Sequence, residues 1–238
     1  MYPHDLSRII MGYCGKREIL LLRSDYPKLL SKIKIDFESL PKIEKKYWSN
    51  ILILEAPEYL TDSDLKLMPN LEKLDCSFNS NFTNRGLGYV PKLIYLNTSS
   101  NKNFTNLGLN SLKNLVIFII GVNINFTDEC LKYCPELVGL RCNKNFTDYG
   151  LSTTPNLRMI DLAWNRNITE YAFTHLPNLE EVNLGNNSNF TDGMLNHIRG
   201  IKKICTGCGS TFSKETLDYF RKKGVLYHGT IMGNLKRL

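Results

Sequence analysis

Leu71-Glu72-Lys73-Leu74-Asp75-Cys76-Ser77-Phe78-Asn79-Ser80-Asn81-Phe82-Thr83 is the stretch on which the reading of this chain turns. Apolar residues stand at its first, fourth and sixth positions, an Asn follows three residues later, and a Phe-Thr pair closes it. The same order returns along most of the sequence. Leu60, Phe82, Phe104, Phe126, Phe146, Ile168, Phe190 and Phe212 all precede Thr or Ser, at intervals of 22 residues except for a single interval of 20 between Phe126 and Phe146. A fixed period in this range marks a stacked-repeat solenoid, in which each unit buries its apolar face against its neighbours.

The apolar triplets continue as Leu93, Leu96, Thr98; Leu115, Phe118, Ile120; Leu137, Leu140, Cys142; Leu157, Ile160, Leu162; Leu179, Val182, Leu184; and Ile201, Ile204, Thr206. This spacing resembles the leucine-rich repeat, whose L-x-x-L-x-L-x-x-N segment forms one short parallel strand per coil. Strand alternation sends Leu74 and Cys76 inward and Lys73, Asp75 and Ser77 outward. Asn79, Asn101, Asn123, Asn165 and Asn187 are expected to bond the backbone of the turn, where unpaired polar groups are costly. The fourth copy is two residues short, and Asn145 is expected to take that place. Thr61, Thr83, Thr105, Thr127, Thr147, Thr169 and Thr191 read as helix N-caps. Acidic residues follow in several first turns, where the helix dipole favours them, and Pro69, Pro91, Pro135, Pro155 and Pro177 end the helices. The fold class is therefore α/β: a leucine-rich-repeat solenoid of about seven strand–helix coils of 20–22 residues, with a small N-terminal helical segment.

Composition narrows the function. The net charge of +7 divides as +4 over residues 1–47, −1 over 48–210 and +4 over 211–238, so the repeats are neutral. A phosphate-tracking solenoid would carry its charge on the repeated face, which disfavours nucleic acid as a partner. No apolar stretch has the length of a membrane span, and the N-terminus lacks the order of a signal peptide. Seven cysteines, an odd number, argue against a secreted disulfide framework, and the expected compartment is the cytoplasm or nucleus. Six N-x-T sequons, at Asn81, Asn103, Asn125, Asn145, Asn167 and Asn189, read as part of the repeat rather than as glycan acceptors. Cys205 and Cys208 form a C-x-x-C with no second matching pair nearby, so neither metal nor cofactor is expected.

The outward strand positions form columns on the concave face. One reads Lys73, Tyr95, Ile117, Gly139, Met159, Glu181, Lys203; its neighbour reads Asp75, Asn97, Ile119, Arg141, Asp161, Asn183, Cys205. Ile117 and Ile119 place β-branched side chains where solvent is expected. With Tyr95, Met159 and Trp164 around them, and Arg141 and Asp161 at the margin, they make a candidate partner-binding patch of apolar centre and polar rim. The competing reading packs the two isoleucines under a terminal loop or has them merely strengthen the strand. No nucleophile, paired-carboxylate or phosphate-loop pattern appears, so the chain is not read as an enzyme.

Residues 1–36 do not repeat and read as two or three short helices. Pro3-His4-Asp5-Leu6-Ser7-Arg8-Ile9-Ile10-Met11-Gly12-Tyr13 resembles the opening of an F-box, and Glu18-Ile19-Leu20-Leu21-Leu22 continues it in register; the match ends after Leu22. Thr147-Asp148-Tyr149-Gly150-Leu151 and Cys134-Pro135-Glu136-Leu137 are similar to the cysteine-containing repeats of F-box/leucine-rich-repeat proteins. That resemblance implies a substrate-recognition subunit of a cullin–RING ubiquitin ligase. Pro3, Leu6, Ile10, Ile19 and Leu20 would dock a Skp-type adaptor, and the repeats would hold a protein substrate. The alternatives are a repeat scaffold or effector without ubiquitin machinery, in which residues 1–47 cap the first coil, and, below it, a small-ligand or polyphosphate sensor. The expected organisation is 1–47 F-box-like segment or cap, 48–211 solenoid, and 212–238 capping helix, edge strand and basic tail.

Overall fold

The computed structural model describes residues 34–36, 38–198, 200–207 and 211–226. Among these residues nine short strands form one parallel sheet in sequential order: β1 (Lys34–Ile35), β2 (Ile53–Glu55), β3 (Lys73–Asp75), β4 (Tyr95–Asn97), β5 (Ile117–Ile119), β6 (Gly139–Arg141), β7 (Met159–Asp161), β8 (Glu181–Asn183) and β9 (Lys203–Cys205). Their register aligns Ile53, Lys73, Tyr95, Ile117, Gly139, Met159, Glu181 and Lys203 across the ladder. This is the leucine-rich-repeat solenoid expected from the spacing. Helices were expected through residue 36, whereas Lys34 and Ile35 pair in parallel with Ile53 and Leu54 and begin the sheet. The Lys45–Asn50 3-10 turn then seats Trp48 in the core, its indole N–H donating to the Ile43 carbonyl at 3.0 Å.

One continuous core runs the length of the coils. Leu74, Leu96, Phe118, Leu140, Ile160, Val182 and Ile204 stack inward from the strands, and Phe82, Phe104, Phe126, Phe146, Ile168 and Phe190 form a buried spine beside them. Phe118 meets Phe126 edge-on at 5.1 Å between ring centroids, a favourable aromatic geometry. The convex segments are short: α-helical at Asp62–Leu65, Asn84–Leu87 and Asp148–Ser152, and 3-10 at Asn106–Ser111, Asp128–Tyr133, Glu170–His175 and Asp192–Asn196. Four to six residues are too few for a self-supporting helix, so these turns depend on packing against the sheet.

Three side-chain ladders tie each coil to the one before it. The innermost is the turn asparagine: Asn165 donates to the Asn143 and Phe146 carbonyls at 2.7 and 3.0 Å and accepts the Asn167 and Ile168 amides. The fourth place in this ladder belongs to Asn143, which donates to the Asn123 and Phe126 carbonyls at 2.5 and 3.0 Å. The expectation for Asn145 is thereby corrected. The two missing residues fall directly after Cys142, ahead of the ladder position, and Asn145 keeps the next place along.

That next place is a second ladder, built from the sequon asparagines. Asn81, Asn125, Asn145, Asn167 and Asn189 each donate to a carbonyl of the preceding coil, at 2.5–2.6 Å, and Asn103 does so to Ser80. In the third ladder the first helical residue of a coil receives the next coil's Thr. Asp128 accepts from the Thr147 amide and hydroxyl at 3.0 and 2.6 Å, and Asp148 does the same for Thr169. Acidic residues read from sequence as dipole partners thus also join neighbouring coils. Gly150 permits this crossing, because a Cβ there would lie 2.1 Å from the Asp128 carboxylate.

The C-terminal end closes with the helix Lys214–Lys222, capped by Ser213, whose hydroxyl accepts the Thr216 amide at 3.2 Å. Gly224, at φ +68°, turns the chain so that Leu226 bridges in parallel to Ile204. A left-handed residue after the last turn is the usual glycine exit from a helix.

Candidate functional site

The concave columns have the composition expected from sequence, but not the exposure. Ile117 and Ile119 are each 4% exposed and Tyr95 is 7% exposed. They form a second apolar cluster, apart from the main core, with Val116 and Met159 packed against it. Gly139 stands between Ile117 and Met159 in the register. Burial, with Asp75 adding to it, pushes the Tyr95 phenol up, so the ring packs as a neutral group. The expectation that these isoleucines stand in solvent is corrected: the cluster is packed structure.

The neighbouring column is largely committed to holding its own turns. Asp75 and Asn97 accept the amide and hydroxyl of Ser77 and Ser99, and Asp161 and Asn183 accept the Ala163 and Gly185 amides, each two residues on. These side-chain-to-backbone loops stop each strand. Asp161 is 1% exposed, its Oδ1 takes the Ala163 amide at 3.0 Å, and its Oδ2 makes no hydrogen bond but faces the Arg141 Nε at 3.4 Å. As a partner-binding group read from sequence it is displaced inward.

Burial raises the Asp161 carboxyl above its usual range, and the Ala163 amide, Arg141 and the Asn183 side chain offset this only in part. The folded chain then holds a proton that the unfolded chain releases at about pH 4. That contribution to stability is complete below the unfolded value and is lost as pH rises through the folded one. Asp161→Asn, which copies the Asn97 and Asn183 places, is expected to stabilise the fold by about 1 kcal/mol at pH 7. The gain should shrink towards pH 4; urea midpoints measured across that range would refute it by showing a constant or negative difference.

The two-residue deletion has a consequence at the surface. Neighbouring coils place Gly121-Val122 and Ala163-Trp164 between the strand and the ladder Asn, while the fourth coil steps directly from Cys142 to Asn143. A notch of about 610 Å³ opens there, with Cys142 and Asn143 at its floor, Val122 and Ile124 on one wall, Trp164 on the other, and Arg141 and Lys144 at its edge. Trp164 is 67% exposed and sits in the left-handed region at φ +67°. An L side chain pays roughly 1–2 kcal/mol in that conformation. The same conformation recurs at Asn186, the equivalent place in the next coil, at φ +57°, and the Trp164 amide donates to the Gly185 carbonyl at 3.1 Å, so the backbone here is a property of the turn; the exposed indole is what sets Trp164 apart.

Of the site residues read from sequence, the structure brings Tyr95, Ile117, Ile119 and Met159 into the buried cluster, pairs Arg141 with Asp161, and sets Arg141 and Trp164 on the notch. Pro3, Leu6, Ile10, Ile19 and Leu20 lie outside the described residues. Val122, Ile124 and Lys144 were missed. The 20-residue interval was their signal, since a short coil between full ones must leave a gap.

Burial pushes the Cys134 thiol up to about 12 and the Cys130 and Cys142 thiols upward as well, leaving all three protonated and poor metal ligands or nucleophiles. Among the described residues no group of three or more His, Cys, Asp or Glu side chains could hold a metal ion, and no helix is long and apolar enough to cross a membrane.

Solved structures with this architecture are leucine-rich-repeat proteins. The chain resembles an internalin (inlF) from Listeria monocytogenes with a TM-score of 0.58 at 14% identity, covering 79% of this chain and 58% of that one. Internalin C2 (inlC2) from Listeria monocytogenes gives a TM-score of 0.56 at 17% identity, over 86% and 89% of the two chains. The TLR13 chain of a TLR13–ssRNA13 complex gives 0.54 at 17% identity, over 78% of this chain and 34% of that one. At such identities the likeness is one of fold. No family model and no curated protein matches the sequence.

Proposed function

We propose that the chain is a non-enzymatic receptor that holds a partner protein on its repeats, with the notch beside the fourth coil as the point of grip. Trp164 carries this reading: a large indole left exposed at the mouth of a cleft, across from Val122 and Ile124, offers apolar surface that the chain itself does not cover. Tryptophan is also the side chain most enriched where interfaces draw their energy.

The finer reading makes this receptor the substrate-recognition subunit of a cullin–RING ubiquitin ligase in the cytoplasm or nucleus. It is supported by the resemblance of Pro3–Leu22 to an F-box ahead of leucine-rich repeats, and by nothing in the fold. One experiment addresses both levels. The full chain, a Leu6→Asp/Ile10→Asp variant and a Trp164→Ala variant are each incubated with a purified Skp-type adaptor and with cell extract. Adaptor capture by the parent and by Trp164→Ala, but not by the Leu6→Asp/Ile10→Asp variant, is expected. No adaptor capture by a folded parent chain would leave a repeat scaffold without ubiquitin machinery. A set of proteins bound by the parent and lost from Trp164→Ala is expected for the receptor, and an unchanged set would remove the notch from its function.

A further inference from the structure

The ladder that holds the sequon asparagines also orders the side chains beside the notch. Each of those asparagines donates to a carbonyl in the coil before, Asn189 also to that of Ile168, and the equivalent acceptors stand in file: Glu58, Ser80, Lys102, Ile124, Lys144, Arg166. Adjacent members are one coil apart, about 4.8 Å. Lys102, Lys144 and Arg166 are exposed, and none forms an ion pair with a described residue. The acid in this file, Glu58, stands two coils beyond Lys102, with Ser80 between them. Three unpaired cations therefore stand beside an apolar cleft, on coils whose net charge over residues 48–210 is −1.

We infer that the notch and the cationic file beside it take an extended, acidic segment of the partner protein, with one apolar or aromatic side chain of that segment entering between Val122 and Trp164. This rests on the receptor reading above and specifies its partner. The file calls for negative charge opposite Lys144 and Arg166, one coil apart, and opposite Lys102, two coils from Lys144; an extended segment crosses two coils in about three residues, at about 3.3 Å each. The cleft walls, two aliphatic side chains facing one indole, suit a Leu or Phe side chain. A nucleic acid strand would find a single aromatic platform there, where binding of unpaired bases relies on successive ones. Complementary charge of this kind sets which partner is accepted and in which register.

Trp164 reports its own occupancy. The chain has two tryptophans, and Trp48 is buried with its indole N–H bonded to Ile43, so a change in indole emission on binding belongs to Trp164. The full chain is titrated with a short peptide alternating Glu with Leu and Phe, with the same peptide carrying Gln or Lys for Glu, and with oligouridylate. The Glu peptide is expected to shift the emission to the blue, saturably, and to bind at least about tenfold tighter than the Lys peptide. Added salt should weaken it, and Lys144→Glu/Arg166→Glu should cost about tenfold, with its circular dichroism unchanged. Equal binding of the Gln or Lys peptide would overturn the acidic partner while leaving the receptor reading standing. Response to oligouridylate alone would overturn both. Absence of any response would overturn this inference, and the Trp164→Ala capture experiment would then decide the receptor reading separately.

Discussion

Asn165→Ala is expected to lower the unfolding free energy by about 3–5 kcal/mol, a large part of what a domain of this size holds in reserve. Asn165 is fully buried and makes four hydrogen bonds, donating to Asn143 and Phe146 and accepting from Asn167 and Ile168. Alanine leaves two carbonyls and two amides without partners inside a dry turn. Each unpaired buried group costs about 1–3 kcal/mol, and relaxation recovers only some of it. The exposed Asn167 donates one side-chain bond, to the Lys144 carbonyl at 2.6 Å, and water replaces it there, so Asn167→Ala should cost about 1 kcal/mol or less. Urea unfolding of both variants checks the contrast. Equal losses would mean that the buried ladder is no more important than the exposed one.

The second large effect concerns the concave cluster. Ile117→Asp/Ile119→Asp is expected to unfold the chain or to cost more than about 4 kcal/mol at pH 7, because both positions are 4% exposed. From sequence alone the same variant would be expected to lose partner binding and keep its fold. Ile117→Val and Ile119→Val, which keep the cluster apolar, should cost about 1 kcal/mol each and leave binding intact. Circular dichroism and thermal unfolding distinguish the cases. A double aspartate variant that unfolds at the parent temperature would show that the cluster faces solvent after all.

The repeat, its register and its inward residues were legible because they are set by spacing. Leu74, Leu96 and Phe118 recur at one interval, and strand alternation sends them to one side. The notch was half legible. The 20-residue interval is plain in the sequence, yet the position of the missing pair is not, since Asn143 and Asn145 are the same residue type. Only the hydrogen bonds from Asn143 to Asn123 and Phe126 show that the gap lies between strand and ladder. The pairing of Lys34 and Ile35 with β2 was likewise hidden, because two residues carry no period to read.

The chain's order of residues is thus enough to establish a parallel-stranded solenoid, its core positions and the asparagine turns, for each follows from a local period and from backbone groups that must be paired. Exposure follows a different rule. Ile119 and Trp164 are both large apolar residues outside the main core, but one is buried in a cluster with Tyr95 and Ile117 and the other stands exposed beside a shortened coil. Burial is a property of the neighbours that stacking brings alongside, coils distant by some twenty residues in the chain. That is why the tertiary structure alone decided which apolar residues are packed inside the protein and which stand exposed.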